Sequence, residues 1–410
     1  MNRQTIVFVE SANRIGGVEF STLYLVQHLD RSKWKPCLIY PEEGLMSEFC
    51  RQSDIPAYIL KCPRLLSSSL QFKNDLRLPN PLAWIYDIGV ILIASKKLSR
   101  FLKRVKPDLI ITKGLFAHFY GGFTAWELNI PCIWHLQDFI SERFMGLYKH
   151  IFGLMASRIP DHIIVDGSSI AHQLPYAVQD SVKVILNGVD TNIFHPGIDG
   201  QKIRAEFGIP HDFSVIGSAA RLAPWKGQLY LIEAFRTIAN DFPKALLMIV
   251  GGPAYNNDSY EHALHQRMNE LKLTNRVIFT GYRTDLAQVM AAMDIFVYTS
   301  VEKDTSPLAL LSAMAMGLSI VAFDIEGVRE ILGEPEAGYL VKVGQREALE
   351  RGISRMLNEP ELRFKLSKTA RSQVEKEFSL DKYKSSMENI FTLMLNTNLP
   401  KTVVSNKPFN

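Results

Sequence analysis

Cysteine is scarce in this chain of 410 residues: Cys37, Cys50, Cys62 and Cys132 all fall in its first third. They form no Cys-x-x-Cys pair and no Cys/His spacing of a zinc site, so the four read as reduced thiols of a cytoplasmic protein rather than a disulfide scaffold or metal site. An excess of one charge is missing too. The net charge is +4 and the basic runs are local, which argues against a nucleic-acid binder. The opening residues run straight into the strand-like stretch 5–9 with no charged segment, apolar run and cleavage site, so export is not expected. The most apolar stretch, 82–94, is interrupted by Asp87 and falls short of the ~20 residues that cross a bilayer. There is no Gly-x-Gly-x-x-Gly turn, which sets aside a nicotinamide-dependent oxidoreductase, and no Asp-x-Asp motif to hold a metal ion.

What is present is a globular composition, 47% hydrophobic and 21% charged, in a chain too long for one ordinary core. Short β-rich apolar runs at 6–9, 36–40, 108–112, 132–135 and 162–165 alternate with helical patterns. A second series at 214–219, 245–250, 276–280, 295–298 and 319–323 follows the Pro- and Gly-bearing stretch 194–200. Such alternation predicts an α/β fold of two doubly wound, Rossmann-like domains, 1–195 and 196–375, with ligands at the carboxyl ends of the strands in a cleft between them. Residues 360–396 read as amphipathic helix, of which 376–396 is expected to return to the first domain, and 397–410 as a flexible tail.

Function is therefore sought at strand-to-helix turns. Gly16 and Gly17 open the first helix, where backbone amides suit either a phosphate or merely a tight turn. His135 ends a predicted strand, either as a site residue or as a histidine satisfied by the backbone; Asp138 either orients it or caps a helix. In the second series, Arg221 and Lys226 lie five residues apart on one loop, where a planar fork and a point charge can converge on a diphosphate. Farther on, Asp304-Thr-Ser-Pro307 precedes a buried, apolar helix at 308–316, with Thr305 or Ser306 as cap, Pro307 in its first position and Gly317 at its end. The start of that helix, at Ser306 and Leu308, presents its positive end to the strand-end site. Glu302 is a spare carboxylate that reads as solvated.

In this order and spacing, Gly16-Gly17, His135, Asn187-Gly-Val-Asp190 with Phe194 and Pro196, Arg221 to Lys226-Gly227, Gly251-Gly252-Pro253, the segment from Asp304, and Gly327 with Glu330 resemble the retaining glycosyltransferases of family 4 over nearly the whole chain. The resemblance implies the GT-B architecture of two facing Rossmann-like domains and a UDP- or GDP-sugar donor. It places Gly16 and Gly17 near the donor phosphate, His135 beside the reacting sugar, Arg221 and Lys226 on the diphosphate, and Tyr282 near the nucleobase. The family's Glu, seven residues, Glu signature is here Asp304 and Ser312, and Pro307 stands where the family has glycine. A shorter carboxylate then faces the sugar, and one hydroxyl takes the place of the carboxylate that accepts from ribose.

The implied reaction is metal-independent transfer with retention, giving a glycan, lipid-linked or small-molecule acceptor its sugar without any cofactor. An alternative class is a catalytically impaired nucleotide-sugar-binding protein acting as a partner or regulator, suggested by Ser312 and Pro307. The region 64–106 joins the apolar stretch to the basic cluster Lys96, Lys97, Arg100, Lys103, Arg104 and Lys106. It reads either as a peripheral contact with the inner face of a membrane or as a helix with a solvated basic side.

Overall fold

The computed structural model describes residues 3–13, 16–66, 69–71, 77–140, 147–254, 258–302, 304–333 and 337–396. The expected tail at 397–410 lies outside them. Two units result, Met1–Leu186 with Tyr383–Asn410, and Asn187–Lys382.

Among the described residues unit 1 has the strands β1 (Gln4–Glu10), β2 (Trp34–Tyr40), β3 (Ala57–Ile59), β4 (Ser69–Gln71), β5 (Arg77–Pro79), β6 (Leu109–Lys113), β7 (Cys132–Leu136), β8 (His162–Val165) and β9 (Val182–Val184). Apart from the small antiparallel pair β4–β5, they make one parallel sheet in the order β3-β2-β1-β6-β7-β8-β9. Strand alternation sends Val7, Val9, Ile110, Trp134 and Leu136 into a buried cluster with Leu98 and Leu102. The opposite face receives the C-terminal helix, whose Phe391 packs edge-on against Phe8 and Trp34 with ring centroids 6.4 and 5.7 Å away.

Unit 2 repeats the scheme with β10 (Ser214–Ala219), β11 (Ala245–Val250), β12 (Val277–Gly281), β13 (Ile295–Tyr298), β14 (Ser319–Phe323) and β15 (Tyr339–Val341), all parallel in the order β12-β11-β10-β13-β14-β15. Its core joins Ile216, Leu247, Val297 and Phe323 to Leu231, Phe235 and Ile353 of the covering helices. In each sheet the order reverses at one place, between β1 and β6 and between β10 and β13. Connections leave such a point in opposite directions and open a crevice at the carboxyl ends, so polar chemistry is expected there.

The division between units comes after Leu186, earlier than the Pro- and Gly-bearing stretch suggested. Hydrogen bonds explain the difference. Asn187 is held by Ser306, and Val189 forms a bridge to Ser379, which ties 187–195 into unit 2. The same bridge interrupts the helix expected over 360–396: Val189 N–H donates to Phe378 O, and Leu380 N–H donates to Val189 O. Two helices result, Pro360–Glu377 and Leu380–Asn396.

Candidate functional site

At the reversal point of unit 2, loop 220–227 is strapped to both neighbouring strand ends. Leu222 N–H donates to Gly252 O at 2.8 Å, while Val301 N–H donates to Trp225 O at 2.9 Å. The side chains of Thr299 and Ser300 donate to the carbonyls of Lys226 and Trp225. The turn Pro224–Lys226 then ends at Gly227, with φ at 70° and with Thr299 O where a β-carbon would stand, 2.0 Å away. Only glycine accepts both conditions.

This strapping sets the Lys226 ammonium against Asp304 Oδ2, which also accepts from the Tyr298 hydroxyl. Lys226 Nζ lies 3.4 Å from the Tyr298 oxygen. Burial, and then the Asp304 charge, push the Tyr298 phenol well above its ordinary range, so it remains a donor to the carboxylate. The side chains of Lys226 and Asp304 are 17% and 20% exposed. An ammonium carries three donors; the carboxylate and phenol occupy two, and the third can meet an incoming anion. Arg221 projects an exposed side chain from the same loop, its carbonyl held by Gln228 Nε2 at 2.9 Å.

The segment after Asp304 is clamped from two sides. Ser306 Oγ accepts from Asn187 N–H and Ser306 O from Asn187 Nδ2, both at 2.9 Å. A β-carbon on Gly327 would stand 2.0 Å from Asp304 O, so the Glu326–Leu332 helix begins directly against that carbonyl. Those contacts give the Asn187-Gly-Val-Asp190 segment and Gly327 their local purpose. The following helix, Leu308–Ala315, has Pro307 as its N-cap residue and not in its first position, so neither Thr305 nor Ser306 holds the cap position. Ser306 is engaged by Asn187 instead. Leu310 and Leu311 N–H bond Pro307 O, which leaves the Leu308 and Ala309 amides ahead of the helix's own ladder. Ser312 is buried on this helix, Gly317 ends it at φ 67°, Glu302 is exposed, and Tyr282 is 49% exposed just after β12.

Unit 1 puts its polar residues inside the sheet. Glu10, Lys113 and His135 occupy one register row across β1, β6 and β7, so their side chains share a face. All three are buried. Lys113 Nζ donates to Thr22 Oγ1 at 2.6 Å. Burial pushes the Glu10 carboxyl up and the Lys113 ammonium down, each opposed by the other's charge. His135 is held far below the usual imidazole range, first by burial and then by Lys113, and is neutral. Neither of its ring nitrogens has a hydrogen-bond partner, so Asp138 does not orient it. Glu10 Oε1, both side-chain polar atoms of Gln137, and Ser169 Oγ are likewise buried and unpartnered. Leaving such atoms unpaired costs about 1–3 kcal/mol each, a cost the apolar packing around this strand end must offset. Gly17 begins the Gly17–His28 helix nearby in sequence, with open space where a β-carbon would point. Sequence reasoning passed over Tyr298, Glu10 and Lys113. The last two did carry a signal, since each is a lone charge closing an apolar strand.

The family signature described as Glycosyl transferases group 1 matches residues 199–373, and that of Glycosyltransferase Family 4 matches 15–193. The chain belongs to glycosyltransferase family 4. The transferase is 24% identical over 310 residues to the UDP-Gal:alpha-D-GlcNAc-diphosphoundecaprenol alpha-1,3-galactosyltransferase of Escherichia coli, a match covering 73% of this chain and 78% of that one. It is also 24% identical to the N-acetyl-alpha-D-glucosaminyl L-malate synthase of Bacillus anthracis, over 58% of this chain and 61% of the other. The crystal structure of Anabaena HepE in complex with UDP and glucose superposes with a TM-score of 0.80 at 23% identity, covering 95% of this chain and all of that one. The transferase therefore has the GT-B fold. Among the described residues no group of three or more His, Cys, Asp or Glu is arranged to hold a metal ion, and no helix is long and apolar enough to cross a membrane.

Proposed function

We propose that this glycosyltransferase moves a hexose from a UDP-sugar to a glycan or lipid-linked acceptor in the cytoplasm, at the inner face of the membrane, with retention of configuration and without a metal. The observation that carries the reading is the Lys226–Asp304–Tyr298 cluster at the reversal point of unit 2, a cation held on strapped backbone with a donor to spare. UDP is favoured over GDP because the Escherichia coli relative is named for UDP-Gal and the HepE crystals hold UDP.

In this reading Arg221, Lys226 and the Leu308 and Ala309 amides take the diphosphate and stabilise its charge as it leaves. Asp304 meets the sugar hydroxyls, Tyr282 lies at the base, and Ser306 and Ser312 line the helix start on the ribose side. Gly16 and Gly17 offer amides to the phosphate. His135, neutral, positions the sugar and is not a general base. The acceptor hydroxyl oxygen bonds to the anomeric carbon as the bond to the phosphate oxygen breaks, and its proton passes to that departing oxygen.

A panel of UDP- and GDP-sugars, assayed for released nucleotide with and without crude lipid and oligosaccharide acceptors, tests the proposal. Release from a UDP-hexose, with an α-linked product, is expected. Tight nucleotide binding with no release across the panel would overturn it and leave a nucleotide-sugar-binding protein.

A further inference from the structure

The Pro81–Val105 helix of unit 1 is 25 residues long and keeps an apolar face in water. It starts cleanly, with Asn80 Oδ1 accepting from Ala83 N–H at 3.2 Å. Ala83, Val90, Ala94, Leu98 and Leu102 then bury one side. Leu82, Ile85, Ile88, Leu92 and Ile93 point the other way, Leu82 78% and Ile85 68% exposed. Large aliphatics gathered on one exposed stripe are not the scattered leucines of an ordinary surface.

The stripe does not end in polar residues of mixed charge. At about 100° per residue, Lys96, Arg100 and Lys103 fall on the angular sector of Leu82, Ile85, Leu92 and Ile93. One face is thus apolar for ~16 Å and then basic for ~12 Å. Asp87 is the only acid on the helix, and its carboxylate is turned to Leu66 N–H at 2.8 Å. Leu65 and Leu66, both exposed, extend the apolar end. At the basic end a hollow of about 520 Å³ is lined by Lys61, Lys97, Arg100 and Arg104 with Phe101 at its side. Glu43 also lines it and pairs outward with Arg51 at 3.6 Å.

We propose that this face docks on an anionic lipid bilayer, the Leu82–Ile93 end entering the acyl boundary and the basic hollow taking lipid phosphate. Charge complementarity selects that occupant. Exposed aliphatic groups with Tyr86 at their flank, followed along the axis by a run of cations, suit a medium that is apolar at depth and negatively charged at its surface. A protein partner would need matched acids and a packed centre. The inference deepens the reading of an acceptor met at the membrane, but binding to lipid is measured without turnover.

The test uses the full chain and vesicles of phosphatidylcholine alone or mixed with phosphatidylglycerol. Sedimentation with the mixed vesicles is expected, weakening as salt rises. Reversing charge in Lys97→Glu/Arg100→Glu/Arg104→Glu should lower partitioning by about 100-fold or more, each cation contributing roughly fivefold. Ile85→Ser/Ile88→Ser/Leu92→Ser should abolish it at every salt concentration, with nucleotide release towards a soluble acceptor and the thermal melt unchanged. Equal binding to neutral and anionic vesicles, no binding to either, or concentration-dependent dimers lost in the serine variant would each overturn the proposal. A protein that turns over donor but ignores vesicles removes this inference and leaves the transferase reading standing; one that binds vesicles without turnover does the reverse.

Discussion

Both units place polar chemistry where their strand order reverses, but they build it from different parts of the chain. Unit 2 uses two loop residues beyond the strand ends, Lys226 and Asp304, which remain partly open and are joined by Tyr298, the buried last residue of β13. Unit 1 uses residues of the strands themselves, Glu10, Lys113 and His135, which are sealed from water and carry unpartnered atoms. A charge on a strapped loop can be kept ready in solution, since water and its neighbours both stabilise it. A charge within a sheet is destabilised by burial, which is why the Glu10 and Lys113 shifts oppose ionisation. Unit 2 should therefore lose function when a single group goes, whereas unit 1, whose buried histidines must stay neutral, should be the acid-sensitive half.

The largest effect is expected at Lys226. Lys226→Ala removes the ammonium and leaves Asp304 as an uncompensated negative charge where a diphosphate is to bind. Turnover should fall by about 100-fold or more, with the melting temperature little changed. An unaltered rate would show that Lys226 serves only its ion pair.

Acid should divide the units next. Burial holds His118 down to about 3, and its Nδ1 lies 2.8 Å from Thr112 Oγ1 on β6. With the folded value below the unfolded one near 6.5, its stabilising share is complete above pH 6.5 and is lost as pH falls towards 3. His135 and His162 are shifted in the same direction, so all three must stay neutral in unit 1. The loss amounts to a few kcal/mol by linkage, on the order of 1.4 kcal/mol for each tenfold difference in proton affinity between folded and unfolded chain. Trp34, Trp84, Trp126 and Trp134 lie in unit 1 and Trp225 in unit 2, so fluorescence during acid titration reports mostly on unit 1. His118→Gln should flatten that transition; an identical acid midpoint would mean that other groups set it.

Much of this was legible in the chain, for reasons that particular residues show. Runs such as 214–219 and 245–250 became strands with those same limits, because a strand covered on both faces reads as a largely apolar run. The edge strands β3, β9 and β15, three residues each, went unread, since so short a run has no period of its own and is defined by its neighbour. Arg221, Lys226 and Asp304 were visible as charges flanked by turn residues. Their mutual geometry was not: Asp304 holds Lys226 only because Gly227 and Gly327 let backbones close in, and that fact belongs to contacts between segments 78 residues apart. The Asn187–Ser306 clamp, 119 residues apart, was hidden for the same reason.

The smallest effect sharpens the comparison at its finest point, the ribose. Ser312 is buried on the Leu308–Ala315 helix, where the family pattern has a carboxylate. Ser312→Glu would add an acceptor for two hydroxyls, and a charge-assisted pair of bonds is worth about 1–2 kcal/mol net, or roughly 5- to 30-fold in nucleotide affinity. That gain appears only if the ribose lies there; otherwise the new carboxylate is buried without partners and the protein melts earlier. Titration calorimetry with UDP and a thermal melt, run on Ser312→Glu and Ser312→Ala, separate the cases. Tighter binding in the glutamate variant would place the ribose beside this helix, making the wild-type serine a weakened form of the family's contact. Lower stability with unchanged affinity would show that the ribose is held by another group and that Ser312 serves packing alone.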